Sequence, residues 1–154
     1  VVESWFKPLA YSLILLRREG YPCLFYADYY GAHYRDHGND GNEHEIWLDC
    51  HRWIIDKFLW ARRNFSYGDQ YDYFDHPNVI GWTRLGNEDH PGGMAVVLSN
   101  GAGGSKWMEV GQPNRTYIDI TEHIQEPITT DEHGWGEFRC NGGSVSVWVP
   151  ADAL

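Results

Sequence analysis

Positive charge is scarce in this chain. Twelve Lys and Arg stand against twenty-two Asp and Glu, for a net charge of −10 over 154 residues. That balance disfavours nucleic acid and anionic membranes as partners and leaves neutral polymers open. Cysteine is scarcer still, since Cys23, Cys50 and Cys140 are odd in number and lack metal-ligand spacing. Cys23 and Cys50 read as small core residues. A disulfide between them is the rival reading, because the elements that carry them should pack together. Long apolar runs are also missing: the longest, LAYSLILL, is too short to span a bilayer. No segment resembles a signal peptide, and there is no internal repeat. The chain reads as starting inside a longer protein, so the missing signal peptide is no argument against secretion. Asn64-Phe-Ser66 and Asn114-Arg-Thr116 fit the N-glycosylation sequon, which hints at a secretory route.

What is abundant is aromatic. Eight Trp, ten Tyr and six Phe make up 16% of the chain, too many for a Gly-rich polar chain to bury them all. Exposed Trp and Tyr suit flat ligands such as sugars and bases, and the acidity favours sugars.

Ser4 to Gly20 reads as a buried helix, with Ser4 as N-cap, Pro8 in the first turn and Gly20 as the C-terminal stop. Arg17 and Arg18 complement its dipole. Tyr21 to Tyr26 follows as a short buried strand, and a second helix covers Glu43 to Phe65, with Trp47, Cys50, Ile54, Phe58 and Ala61 on one face and Arg62 and Arg63 at its end. One strand between two helices is a slice of an α/β layer, because a parallel strand needs neighbours on both sides. Asp28, directly after the strand and among Tyr26, Tyr29 and Tyr30, marks the first stretch with functional promise; tyrosines that merely wall a loop are the other reading. Ala32 to His44 reads as an exposed loop. Its histidines and acids fail as an EF-hand, since counting from Asp36 puts Gly38 at the third ligand position and Trp47 at the twelfth.

After Tyr67 the pattern changes to short strands and Gly-rich turns: YDYF, NVIGWTRL, GMAVVLS, SKWMEV, TYIDIT, PITT, GEFRC and SVSVWVP. Their even spacing suits an antiparallel Greek-key sandwich or barrel. Strand alternation puts Trp82 and Trp148 in the core. Trp135, between two glycines, sits where a Trp is hard to bury, and Trp107 lies on a strand, so surface and core both remain open for it.

The order SWFKPLAY…GYPCLFYADYYG, ARRNFSYGDQYDYFDH, IGWTR, GAGGSKWMEVG, DIT and GWGEF…NGGSVSVWV resembles the C-terminal end of a glycoside hydrolase family 13 α-amylase of the liquefying Bacillus type. The likeness runs through nearly the whole chain, except for Ala32 to Asp49, which is longer and richer in His and Asp. It implies an α/β part, residues 1–69, ending a (β/α)8 TIM barrel as helix, eighth strand and helix, and an all-β Greek-key domain C over 70–154. It also implies endo-hydrolysis of α-1,4-glucosidic bonds in starch by a retaining mechanism, with the catalytic carboxylates upstream, so no catalytic residue is assigned here. The partners implied are starch or malto-oligosaccharide and the N-terminal part of the same amylase; the localisation implied is extracellular, with cytoplasm as the other option.

Two further features follow from the resemblance. Tryptophans matching Trp107 and Trp135 bind sugar on the surface of domain C. A calcium between barrel and domain C uses positions matching Pro77, Asn78 and Asn100. The family carries a carboxylate at the last of these and often at the middle one, so two neutral amides imply a weak or absent site. A stand-alone starch-binding or purely structural β domain is the rival class. It leaves unexplained the apolar helix and strand of residues 1–68.

Overall fold

In the computed structural model, which describes residues 2–154, a 3₁₀ turn at Ser4–Phe6 leads into helix α1 (Lys7–Leu16). Pro8 occupies the first turn, where its missing N–H removes no helical bond. Ser4 is not the cap: its hydroxyl donates to the Asp49 carboxylate instead. The helix stops at Leu16, short of Gly20, because Arg17 turns extended at φ −85°, ψ 163°.

Tyr21–Tyr26 forms no strand. Residues 21–25 pair with no strand among the described residues, and helix α2 (Tyr26–Tyr30) begins where the strand was expected to end. Tyr21 is 99% exposed and Phe25 58%. A parallel strand exists only through its neighbours, and this chain supplies none. Cys23 is exposed as a result. Cys50, expected on the second helix, lies before it and is also exposed; all three thiols are free, so no Cys23–Cys50 disulfide forms.

The expected loop at Ala32–His44 is instead the first half of a hairpin. Strand β1 (Ala32–His37) pairs antiparallel with β2 (Glu43–Leu48), from Ala32↔Leu48 to His37↔Glu43. Gly41, at φ +79°, turns the chain after Asp40. Glu43–Leu48 is therefore strand, and the second helix is confined to α3 (Arg52–Phe65), which buries Ile54, Ile55, Phe58, Ala61 and Phe65 along one stripe.

From Gln70 the chain is antiparallel, as its alternation predicts: β3 (Gln70–Tyr73), β4 (Val79–Arg84), β5 (Met94–Ser99), β6 (Gly104–Glu109), β7 (Thr116–Asp119), β8 (Ile128–Thr129), β9 (Trp135–Cys140) and β10 (Ser144–Pro150). Six of these form one sheet in the order β3-β4-β5-β10-β7-β8, while β6 and β9 make a separate two-stranded ribbon.

The large sheet is covered on both faces. Trp82, Met94, Val96, Leu98, Val147 and Val149 pack under α1 and α3. Ala95, Val97, Tyr117 and Trp148 pack under Met108 and Phe138 of the ribbon. That is why β5 reads MAVVLS and is buried at every position. Trp82 and Trp148 are fully buried, one on each side of the sheet, as expected from their alternation. The layers are thus helices, sheet and ribbon. No helix among the described residues is long and apolar enough to cross a membrane.

Candidate functional site

The ribbon has two unlike faces. Met108, Phe138 and Cys140 point into the core, so the alternate positions Ser105, Trp107 and Glu109 of β6 and Trp135, Glu137 and Arg139 of β9 face outward. The register sets Trp107 opposite Glu137 and Glu109 opposite Trp135. The two expected tryptophans therefore lie diagonally on one face, within reach of a single extended ligand. Trp107 is 56% exposed, which excludes core packing for it, and Trp135 is partly exposed. Ser105 Oγ donates to Glu137 Oε1 at 2.9 Å, lining the same face with polar groups.

Three residues fix Trp135, two of them in the turn Asp131–Trp135 that the sequence announces. Tyr73 meets its ring edge-on, with centroids 6.3 Å apart. Asp131 Oδ1 accepts from the backbone N–H of His133 at 2.8 Å and of Trp135 at 3.0 Å. The bond from Trp135, outweighing some desolvation, helps hold the Asp131 carboxyl below its ordinary value. Gly134, at φ +82°, is required between them: a Cβ there would lie 2.8 Å from the Gln112 nitrogen. The signal for this turn was Asp131 three residues before Gly134, an Asx-type pattern.

The positions proposed for calcium meet at one corner of the sheet. Asn78 Nδ2 donates to Asn100 Oδ1 at 3.0 Å, and the Asn100 N–H donates to the Asn78 carbonyl at 3.2 Å. His76 Nδ1 accepts from the N–H groups of Asn78 and Val79, which anchors the backbone around Pro77. The Asn100 amide oxygen is thus already engaged, and among the described residues no group of three or more His, Cys, Asp and Glu is placed to hold a metal.

Asp28 turns back into the fold. Its carboxylate accepts from Lys7 Nζ at 2.5 Å and from the Tyr11 hydroxyl at 2.6 Å. Burial pushes Asp28 up, but the bonds from Lys7 and Tyr11 prevail and hold it below the usual range. Burial, with the Asp28 bond, pushes the Tyr11 phenol up to about 12. The arrangement is a structural ion pair tying α1 to α2, with no free oxygen aimed at a ligand. Tyr26 and Tyr30 are exposed beside it, whereas Tyr29 donates to Asp56 at 2.5 Å.

No family model matches the chain. It is 47% identical over 152 residues to an α-amylase of Geobacillus stearothermophilus, covering 97% of this chain and 26% of that protein. It is 50% identical over 151 residues to a glucan 1,4-alpha-maltohexaosidase of Bacillus sp. strain 707, covering 96% and 27%. Against the cytoplasmic α-amylase of Escherichia coli K12 the figures are 49% over 155 residues, 99% and 31%. A crystal structure of an Anoxybacillus α-amylase aligns at a TM-score of 0.49 and 10% identity, over 68% of this chain and 24% of that one. Over nearly its whole length the chain is similar to one segment of these α-amylases. It spans between a quarter and a third of the length of these curated relatives.

Proposed function

We propose that this chain is the part of an α-amylase that follows the catalytic carboxylates and holds an α-1,4-glucan on the outward face of the β6–β9 ribbon. Residues 1–69 would close the (β/α)8 barrel, and residues 70–154 would form domain C. The observation that carries the reading is the diagonal pair Trp107 and Trp135 on a ribbon whose opposite face is core. A sugar's C–H face stacks on an indole, and two indoles held by one rigid ribbon fix the path of a glucan chain. The whole enzyme would hydrolyse starch endo-wise with retention, using a nucleophile and an acid/base about 5–5.5 Å apart; neither lies in this chain. The lack of a parallel partner for residues 21–25 supports a missing set of barrel strands, the partner supplied by the N-terminal part.

Calcium fits the Pro77, Asn78 and Asn100 corner poorly. Both side chains are neutral, and the Asn100 amide oxygen already accepts from Asn78 Nδ2, which supports a weak site. For localisation the proposal stays with secretion against cytoplasm, and fractionation of the natural producer decides between them.

Retention on starch tests the central reading. Trp107→Ala and Trp135→Ala should each weaken binding to insoluble starch, and the double change should abolish it without altering the fold. Unchanged retention would leave the ribbon as a purely structural cover.

A further inference from the structure

Five of the twelve basic residues of this acidic chain converge on one cavity of about 410 Å³. Arg17 and Arg18 enter it just after α1, Arg62 and Arg63 from the last turn of α3, and Arg84 from the end of β4. Asp and Glu are absent from its lining.

Part of this clustering has a structural cause. Basic side chains favour helix C-termini, and Arg62 Nη1 does donate to the Leu15 carbonyl at 2.6 Å. Arg17 is neutralised by a two-pronged pair with Asp72 at 2.9 and 3.0 Å, with Glu19 at 3.4 Å. Arg84 is 5% exposed and is held by the Gly68 carbonyl and the Ser66 hydroxyl, with no carboxylate as partner. Burial, then the like charge of Arg18, pushes its guanidinium below the ordinary value. Glu19 opposes that push in part; a buried guanidinium with no carboxylate bonded to it is still costly, and an anion seated beside it lowers that cost. The helix-end preference covers Arg63, but the guanidiniums of Arg18 and Arg63 have no hydrogen-bond partner among the described residues and stand exposed at the mouth.

We propose that this cavity binds a phosphoryl-type dianion. Arg18 and Arg63 present two uncommitted planar N–H forks beside the charges of Arg62 and Arg84. That is more than one carboxylate can accept, whereas a tetrahedral phosphoryl group offers three or four acceptor oxygens. The volume also leaves room for a sugar behind the phosphoryl group, so inorganic phosphate and a sugar phosphate ester share the required chemistry. The site lies on the helix side of the sheet and owes nothing to the ribbon tryptophans.

The test is calorimetric titration of the full-length protein with inorganic phosphate, glucose 6-phosphate, glucose, and sodium chloride at matched ionic strength. Phosphate should bind with a millimolar or lower Kd, while glucose and chloride give no saturable heat. The double variant R18Q/R63Q removes two mouth residues that carry no core contact, and should weaken phosphate by about tenfold or more. R18K/R63K keeps the charge without the forks and should fall between. Glucose 6-phosphate binding several-fold tighter than phosphate assigns the ester as ligand; equal or weaker binding assigns the free ion. Chloride matching phosphate, or an R18Q/R63Q variant that binds as the parent does, overturns the proposal.

Discussion

Asp131 and Trp135 are bonded to each other twice: the Asp131 N–H donates to the Trp135 carbonyl at 2.8 Å, and the Trp135 N–H donates to Asp131 Oδ1 at 3.0 Å. The exposed indole is therefore set by a four-residue turn as well as by its strand. Asp131→Ala should leave the core intact yet loosen the ring, lowering starch retention several-fold less than Trp135→Ala does. The pH dependence follows from the depressed Asp131 carboxyl. Its contribution is complete above the ordinary Asp value of about 3.9 and is lost as pH falls through the lower folded value. Retention should therefore fall in acid below about pH 4 in the parent, and much less in Asp131→Ala. Parallel acid profiles in the two proteins would remove Asp131 from the account.

The ion pair of Asp28 with Lys7 is shielded, with side chains only 10% and 13% exposed. Removing one partner strands the other, so Lys7→Met should cost about 3 kcal/mol in urea unfolding. Asp28 is held low, so its share of stability is present above the ordinary carboxylate value and disappears as pH falls through the folded one. Tyr11 is held high, at about 12, so its share is present below the ordinary phenol value and is lost as pH rises toward that figure. Lys7→Met should flatten the acid limb. A cost below about 1 kcal/mol would mean that water screens the pair.

The β half was legible because alternation and turn residues are local. Each of the eight expected strands from YDYF to SVSVWVP exists, and two-sided burial explains why MAVVLS shows no alternation. The helical half was legible only in part. YPCLFY has the composition of a buried strand, but strand formation depends on neighbours this chain does not carry. The hairpin was missed because the His- and Asp-rich stretch hid Asp40-Gly41, a hairpin turn signal, between two runs that pair in register. Of the site, the two tryptophans were readable, but their shared face depends on the β6–β9 register, which no local signal sets.

The Asn78–Asn100 amide pair makes a prediction about calcium. With both positions neutral, adding or chelating calcium should leave the stability of this corner unchanged. Asn78→Asp with Asn100→Asp replaces the amide bond by two like charges, which should destabilise the protein without metal. Added calcium should then recover the loss, because carboxylates are the ligands it prefers. The observable is the difference in calcium-dependent Tm between parent and double variant, which cancels any calcium bound elsewhere. An equal calcium response in both would show that the corner has no part in metal binding even with two carboxylates.

Trp82 joins the helices to the sheet. It is fully buried on β4, its Nε1 donates to the Leu16 carbonyl at 3.3 Å, and the Arg17 guanidinium lies over its ring at 5.3 Å. Leu16, at the last turn of α1, is fully buried in the same cluster. If α1 and the sheet form one cooperative unit, the two residues must report on each other. Trp82→Ala alone should cost about 3–5 kcal/mol and Leu16→Ala about 2–5. The double variant should cost less than their sum by about 0.5–3 kcal/mol, since the first cavity already removes contacts the second would break. Thermal unfolding followed by tryptophan fluorescence and by far-UV circular dichroism should then give one midpoint in every variant. Additive losses with two separate midpoints would mean that the helices unfold independently, and that residues 1–69 and 70–154 are joined by the chain alone.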